Sequence, residues 1–226
     1  PGNHDNDPEI ADDFLAAAGF RDYINPLYYS FNIGDVHYIM MDNTLFKNSG
    51  AGPNNYNVQD YTEGFTDDQM KWLKGDLETV PEGTTIIFGL HIPWTNRSQS
   101  TGKFTYAMPA TYRSEVESLL SKFTVHFISG HTHTNYTNII NSKMMEHNIA
   151  GVCGTWWWTG YYSKNKCRLN GDGSPSGYKI FDINGSDVKW QFKALARDAS
   201  YQFRAYDLRN SLITRELYCP ANKNTN

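Results

Sequence analysis

The sequence predicts an α/β fold, a two-sheet β-sandwich flanked by helices, on three observations. Apolar strand-like runs alternate with amphipathic helical stretches through the first 130 or so residues. Beyond that point strand-like segments follow one another with no helix between them, and the two later histidine motifs each come directly after an apolar run. Alternating strands and helices imply parallel pairing with helices on the sheet faces, whereas consecutive strands imply antiparallel pairs.

Each element has its own signal. Residues 8–18 read as a short helix with Ile10, Phe14, Leu15 and Ala18 on one face and acidic residues near its start. Residues 28–33 and 36–42 read as a β-hairpin around Gly34-Asp35. Residues 43–65, polar and rich in Asn and Gly, are expected to form a loop on the functional side. Thr66 with Gln69 three residues on marks a helix start, Met70, Leu73 and Leu77 form its buried stripe, and Pro81 ends it. Residues 84–90 are apolar and β-branched enough for a buried parallel strand, which delivers His91 at its carboxyl end. Residues 111–121 form a second helix with Val116, Leu119 and Leu120 inward, and 124–129 a strand leading into Gly130-His131-Thr132-His133. Residues 137–140, 143–151, 178–183 and 188–195 are strand-like, the last two joined by the hairpin signal Asn184-Gly185. Residues 1–195 are expected to form the principal domain, and 196–226 the start of a C-terminal β-domain or extension.

At 226 residues and 39% hydrophobic, the chain can bury a continuous core. A net charge of -4 gives no bulk electrostatic reason for nucleic acid or an acidic membrane as partner. No run approaches the roughly 18 apolar residues of a transmembrane segment. The aromatic content is concentrated in Trp156-Trp157-Trp158 and Tyr161-Tyr162, which Cys153 and Cys167 bracket. A disulfide closing a loop of that length is worth about 3 kcal/mol and implies an oxidising compartment; three unrelated thiols, Cys219 included, are the alternative. Asn96-Arg97-Ser98, Asn135-Tyr136-Thr137 and Asn184-Gly185-Ser186 fit the glycan-acceptor triplet.

The residues that carry chemistry are Pro1-Gly2-Asn3-His4-Asp5, the lone His91, and Gly130-His131-Thr132-His133. Imidazoles bind borderline transition metals, and an amide oxygen adds a neutral hard ligand. In a two-metal hydrolase the ions lie roughly 3.5–4 Å apart, so ligands must converge from several loops at one sheet edge. In open α/β sheets that edge is the carboxyl end of the strands. A lone histidine after a strand is usually an ordinary residue, but the ordered set points to a metal site. Gly130 is expected to let its loop turn so that both imidazoles face inward. His37, His126 and His147 lie within or beside apolar strands and read as core or surface histidines.

The order Gly-Asn-His-Asp, then a histidine after a strand, then Gly-His-x-His resembles the calcineurin-like metallophosphoesterases. The resemblance implies that Asn3, His91 and His131 bind one metal ion and His133 the other, the pair being divalent or trivalent Mn, Fe or Zn. It also implies hydrolysis of a phosphomonoester or phosphodiester, with a metal-bridging hydroxide as nucleophile and His4 as general acid, oriented by Asp5. Capping of the first helix is the alternative role for Asp5. The family opens with Asp-x-His and Gly-Asp-x-x-Asp. Here Asp35-Val36-His37 falls after the Asn3 motif, in a turn, and Gly75-Asp76 and Gly171-Asp172 lack the second Asp. The chain is therefore expected to start in mid-domain without the first strands, and to be inactive as it stands. A weaker similarity, in the Trp run and in residues 172–178 and 201–204, is to exported bacterial, Bacteroides-type members. It implies a periplasmic, cell-envelope or secreted location and a C-terminal truncation. Trp94, Trp156 and Trp157 are candidate substrate-binding aromatics, with core packing as the alternative for Trp94. Two other functions stay open: a catalytically degenerate scaffold, and a carbohydrate or cell-envelope binding module built on Trp156–Trp158.

Overall fold

A computed structural model describes residues 1–48, 60–152, 170 and 172–201. In chain order the elements are α1 (Asp13–Ala16), α2 (Ala18–Tyr23), β1 (Tyr29–Ile33), β2 (Val36–Met40), β3 (Thr44–Phe46), β4 (Tyr61–Glu63), α3 (Asp67–Leu77), β5 (Thr85–Gly89), β6 (Thr95–Arg97), β7 (Phe104–Tyr106), α4 (Ala110–Leu120), β8 (Thr124–Ser129), β9 (Tyr136–Ile139), β10 (Met144–Asn148), β11 (Gly177–Asn184) and β12 (Asp187–Ala194). The fold is α/β with several sheets, as the sequence predicts. The chain divides into two compact units, Pro1–His131 with Thr137–Asn148, and Thr132–Tyr136 with Ile149–Asn226.

The first unit is built on a six-stranded sheet of order β1-β2-β5-β8-β10-β9. β1 and β2 form the expected antiparallel hairpin, turning at Gly34, whose φ of 57° suits glycine. The pairs β2–β5, β5–β8 and β8–β10 are all parallel. Four consecutive residues of β5, Thr85 to Phe88, are buried, as befits an interior parallel strand covered on both faces. On one face Ile39, Phe88, Val125 and Phe127 pack with Met70, Leu73 and Leu77 of α3 and Val116 and Leu120 of α4. Full burial of each such side chain contributes about 1.5–3 kcal/mol. Helix α3 starts where the sequence places it: Thr66 Oγ1 accepts from Gln69 N at 3.3 Å, and Asp67 and Asp68 occupy the positively polarised first turn.

His37 is a core histidine. Its Nε2 donates to Asp76 Oδ2 on α3 at 2.8 Å, its Nδ1 lies 2.8 Å from Asn32 Oδ1, and Ser30 donates to Asp76 Oδ1 at 2.6 Å. Burial pushes the Asp76 carboxyl up, but the hydrogen bonds from His37 and Ser30 outweigh it and hold the group below the usual carboxylate range. The network ties β1 and β2 to α3.

The segment 8–18 departs from expectation. It holds two short helices instead of one, and Phe14 and Leu15 are more than half exposed. Asp7 Oδ1 accepts from Glu9 N at 2.9 Å and makes a turn where a helix was predicted. Asp12 Oδ1 then accepts from Leu15 N at 2.9 Å and sets the helix start there. Both aspartates take backbone donors locally, which competes with a continuous helix. The described parts of the next segment, 43–48 and 60–65, are likewise more than a plain loop, since β3 and β4 pair as an antiparallel ribbon.

In the second unit β11 and β12 form the predicted hairpin, with Gly185 at φ 56° in the turn. Asn135 donates from Nδ2 to Ser174 Oγ at 2.7 Å, so the nitrogen a glycan would use is already engaged. Cys153, Cys167, Cys219, Trp156, Trp157 and Trp158 lie outside the described residues. Among those described, no helix is long and apolar enough to cross a membrane.

Candidate metal centre

Parallel pairing of β5 with β8 brings their carboxyl ends to the same sheet edge. The ladder continues past both strands, since Leu90 N donates to Ile128 O at 2.9 Å and Gly130 N to His91 O at 3.0 Å. His91 and His131 therefore stand side by side: His91 Nε2 lies 3.2 Å from His131 Nδ1, with the ring planes 72° apart. Asn3 completes the group, its Oδ1 2.8 Å from His91 Nε2. Gly2 makes that approach possible, because a Cβ there would sit 2.7 Å from Cε1 and Nδ1 of the His91 ring. Only glycine lets the Asn3 segment lie so close to the imidazole.

The loop after β8 turns differently from expectation. Its left-handed residues are the histidines themselves, His131 at φ 64° and His133 at φ 56°, not Gly130. Non-glycine residues held in this region store local strain, which clusters at functional sites.

Burial, helped by the neighbouring His131, pushes His91 down to about 4. At neutral pH the ring is therefore uncharged, so one of its nitrogens can offer a lone pair to a metal ion. The Tyr61 hydroxyl on β4 lies 3.4 Å from His131 Nε2, with the two rings edge to face. Just beyond β2, Asp42 is buried and pushed up to about 6 by desolvation, against a hydrogen bond from Thr44 N at 3.0 Å.

The donor set suits a metal ion. Separations of 2.8 and 3.2 Å are those of adjacent ligands around one ion with bonds of about 2.0–2.1 Å. Two imidazole nitrogens and an amide oxygen match the preference of borderline transition metals such as Zn, Mn and Fe. Among the described residues no three His, Cys, Asp or Glu side chains form a metal-binding group, so the cluster owes its third donor to the asparagine.

The other predicted residues are placed as follows. His4 is exposed beside Asn3. Asp5 Oδ2 accepts from Gly2 N at 2.7 Å while Asp5 N donates to Gly2 O at 2.9 Å, so Asp5 closes its own turn. It does not cap α1, whose cap is Asp12. His133 is half-buried and belongs to the second unit. Trp94 is a correction: it is fully buried, stacked on Phe127 at 4.9 Å, and its Nε1 donates to Glu117 Oε1 at 2.9 Å. A ring with no exposed surface offers nothing to a substrate; residue 94 points into the core while His91 stays at the strand end.

Sequence reading missed Asn43. Fully buried beyond β2, it accepts at Oδ1 from His91 N (3.2 Å) and Ile92 N (3.0 Å) and donates from Nδ2 to Ile92 O (2.7 Å). No local signal marked it, since Asp42 and Thr44 flank it and the segment reads as polar; it is buried because its amide is hydrogen-bonded at both ends.

A mainly parallel sheet that gathers two imidazoles and an amide oxygen at its strand ends defines an α/β protein whose chemistry sits at the carboxyl edge. The particular family follows from comparison: the chain belongs to the calcineurin-like phosphoesterases, whose family model matches residues 1–135, with the model for the C-terminal part of calcineurin-like phosphoesterases matching 146–218. Among curated proteins it is similar to purple acid phosphatase 23 of Arabidopsis thaliana, 28% identical over 144 residues, covering 58% of this chain and 27% of that protein. Purple acid phosphatase 21 of the same plant is 31% identical over 133 residues, covering 57% and 24%. The matched region thus spans about a quarter of these relatives' length. Among solved structures, a dimetal phosphatase from Danio rerio is similar with a TM-score of 0.44 and 15% identity, covering 84% of this chain and 69% of that one.

Proposed function

We propose that this chain carries part of the active centre of a metal-dependent phosphoric-ester hydrolase, acting on a phosphomonoester or phosphodiester. The observation that supports the reading most is the convergence of Asn3 Oδ1, His91 Nε2 and His131 Nδ1 from three separate loops. These three residues would hold one transition-metal ion, and His133 is assigned to a second. When bound, such ions neutralise phosphoryl charge and make a water molecule acidic enough to attack phosphorus. The chain's own residues supply the rest. Gly2 and Asn43 fix the His91 ring and backbone, and burial keeps that imidazole neutral. His4, exposed on the Asn3 turn, gives a ring proton to the departing ester oxygen, and Asp5 holds that turn closed. Residues 1–195 form the catalytic part in this reading, and 196–226 belong to an extension.

The test is turnover of p-nitrophenyl phosphate and bis(p-nitrophenyl) phosphate by the full-length protein supplied with Mn²⁺. The expected result is hydrolysis of at least one ester, abolished by EDTA and by His91→Ala. Metal-loaded protein that turns over neither ester would favour a degenerate scaffold.

A further inference from the structure

One buried acid outside the predicted motifs has no part in the reading above. Glu146, in the middle of β10, is 0% exposed and lies in register with Phe127, on the sheet face that carries Ile39 and Phe88. A carboxylate among such neighbours is costly unless hydrogen bonds replace its lost water. Here four hydrogen bonds stand in for that water, though burial still pushes the carboxyl above its usual range. Oε1 accepts from Trp94 N at 2.6 Å and Ser129 Oγ at 2.7 Å, and Oε2 accepts from Thr95 N at 2.7 Å and Thr95 Oγ1 at 2.6 Å. The destination of these bonds matters more than their number. Two come from backbone N–H groups of the segment that follows His91, and one comes from the residue that precedes Gly130-His131. A single carboxylate is thus bonded to both histidine loops at once.

Asn148, two residues further along β10, repeats the pattern on the His131 side. It is fully buried, and its Nδ2 donates to Ser129 Oγ at 3.0 Å and to Gly130 O at 2.6 Å. β10 contributes none of the three converging donors, yet its alternate residues Glu146 and Asn148 fasten the end of β8 and the loop after β5. A site of two imidazoles works only if its supports hold them within about 0.5 Å of the required geometry, and both sit on loops.

Resting on the phosphoesterase reading, we infer that Glu146 is a positioning residue that holds the His91 and His131 loops in register for metal binding. Glu146 bonds no ligand itself but residues of the two loops that carry them, and loss of a ligand's support typically lowers metal affinity about 10- to 100-fold. Glu146→Gln keeps the volume but turns one oxygen into an NH₂ group facing a backbone N–H, so that hydrogen bond is lost and a donor is set against a donor. Ser129→Ala and Thr95→Val each remove one side-chain bond to Glu146, from opposite loops, together with the bond that Ser129 Oγ accepts from Asn148 and Thr95 Oγ1 from Asn138.

The test compares wild-type and variant full-length proteins by Mn²⁺ affinity of the metal-free form, kcat and KM for p-nitrophenyl phosphate, and amide hydrogen exchange at residues 91–95 and 129–131 without metal. Glu146→Gln should bind Mn²⁺ about 10- to 100-fold more weakly, lower kcat with little change in KM, and exchange faster at Trp94 and Thr95 than at the β5 core amides. Ser129→Ala and Thr95→Val should move in the same direction by less, and they decide the matter if Glu146→Gln does not fold. Variants that lose thermal stability but keep wild-type Mn²⁺ affinity and wild-type exchange in both loops would overturn the inference and leave Glu146 a core residue. Wild-type protein that binds no Mn²⁺ would instead overturn the phosphoesterase reading, and unchanged loop exchange would then reject the anchor independently.

Discussion

Two pairs of histidines meet in the first unit at almost the same distance, and they are built for different ends. His91 Nε2 and His131 Nδ1 are 3.2 Å apart; His126 Nδ1 and His147 Nε2 are 3.0 Å apart. The second pair lies inside adjacent parallel strands, where register stacks the rings 8° from parallel, with His126 7% and His147 0% exposed. The first pair lies just beyond two strand ends, its rings are crossed at 72°, and an amide oxygen from a third loop joins it. Proximity of imidazoles therefore does not make a site. Placement at the strand ends leaves room for further donors, whereas placement within the strands gives each ring a partner and closes the space around it.

Substitutions can break this contrast. His91→Ala should weaken metal binding and abolish turnover, while His126→Gln, equally close to another histidine, should leave metal stoichiometry unchanged; metal content by mass spectrometry of dialysed protein checks both. His4→Ala should reduce turnover by about 10²–10⁴-fold while the metal stays bound, because it removes a proton donor and no ligand. Steady-state kinetics with metal analysis separates it from His91→Ala. Gly2→Ala adds a methyl 2.7 Å from the His91 ring and should weaken metal affinity by about 10–100-fold, the usual cost of disturbing a ligand's support. Chelator competition measures this, and His126 and His147 should be indifferent to it.

The smallest effect concerns the buried pair. Burial lowers the His126 pKa below its ordinary 6.5, so the unfolded chain takes up a proton at a higher pH than the folded one. The stability this neutral ring contributes is fully present above pH 6.5 and is lost as pH falls from there through the folded value. One proton gives a slope of at most about 1.4 kcal/mol per pH unit. Urea denaturation between pH 7.5 and 5 should show it, and His126→Gln should flatten it.

Much of the framework was legible because its signals are local. Thr66 and Gln69 marked the start of α3, Gly34 and Asn184-Gly185 marked two hairpins, and the apolar run before His91 marked β5. The segment 8–18 was misread because apolar spacing ignores Asp7 and Asp12, whose side chains take the backbone donors a continuous helix needs. Of the candidate site, Asn3, His91 and His131 were singled out by the ordered motifs Gly-Asn-His-Asp, a histidine after a strand, and Gly-His-x-His, and the fold brings the three side chains together. Asn43 and Glu146 were not, because their roles lie in partners 17 to 52 residues away, which no local pattern encodes. For Trp94 the core-packing alternative holds for a related reason: only two residues separate it from His91 in sequence, but its ring stacks on Phe127 in the core.

The central claim is that Asn3, His91 and His131 share one metal ion, and the most direct measurement is X-ray absorption fine structure at the metal edge of Mn²⁺-loaded full-length protein. The account predicts imidazole scattering that diminishes in both His91→Ala and His131→Ala and persists in a His126→Gln, His147→Gln double variant. Imidazole scattering that is undiminished by loss of His91 or of His131, or that disappears in the double variant, would contradict it.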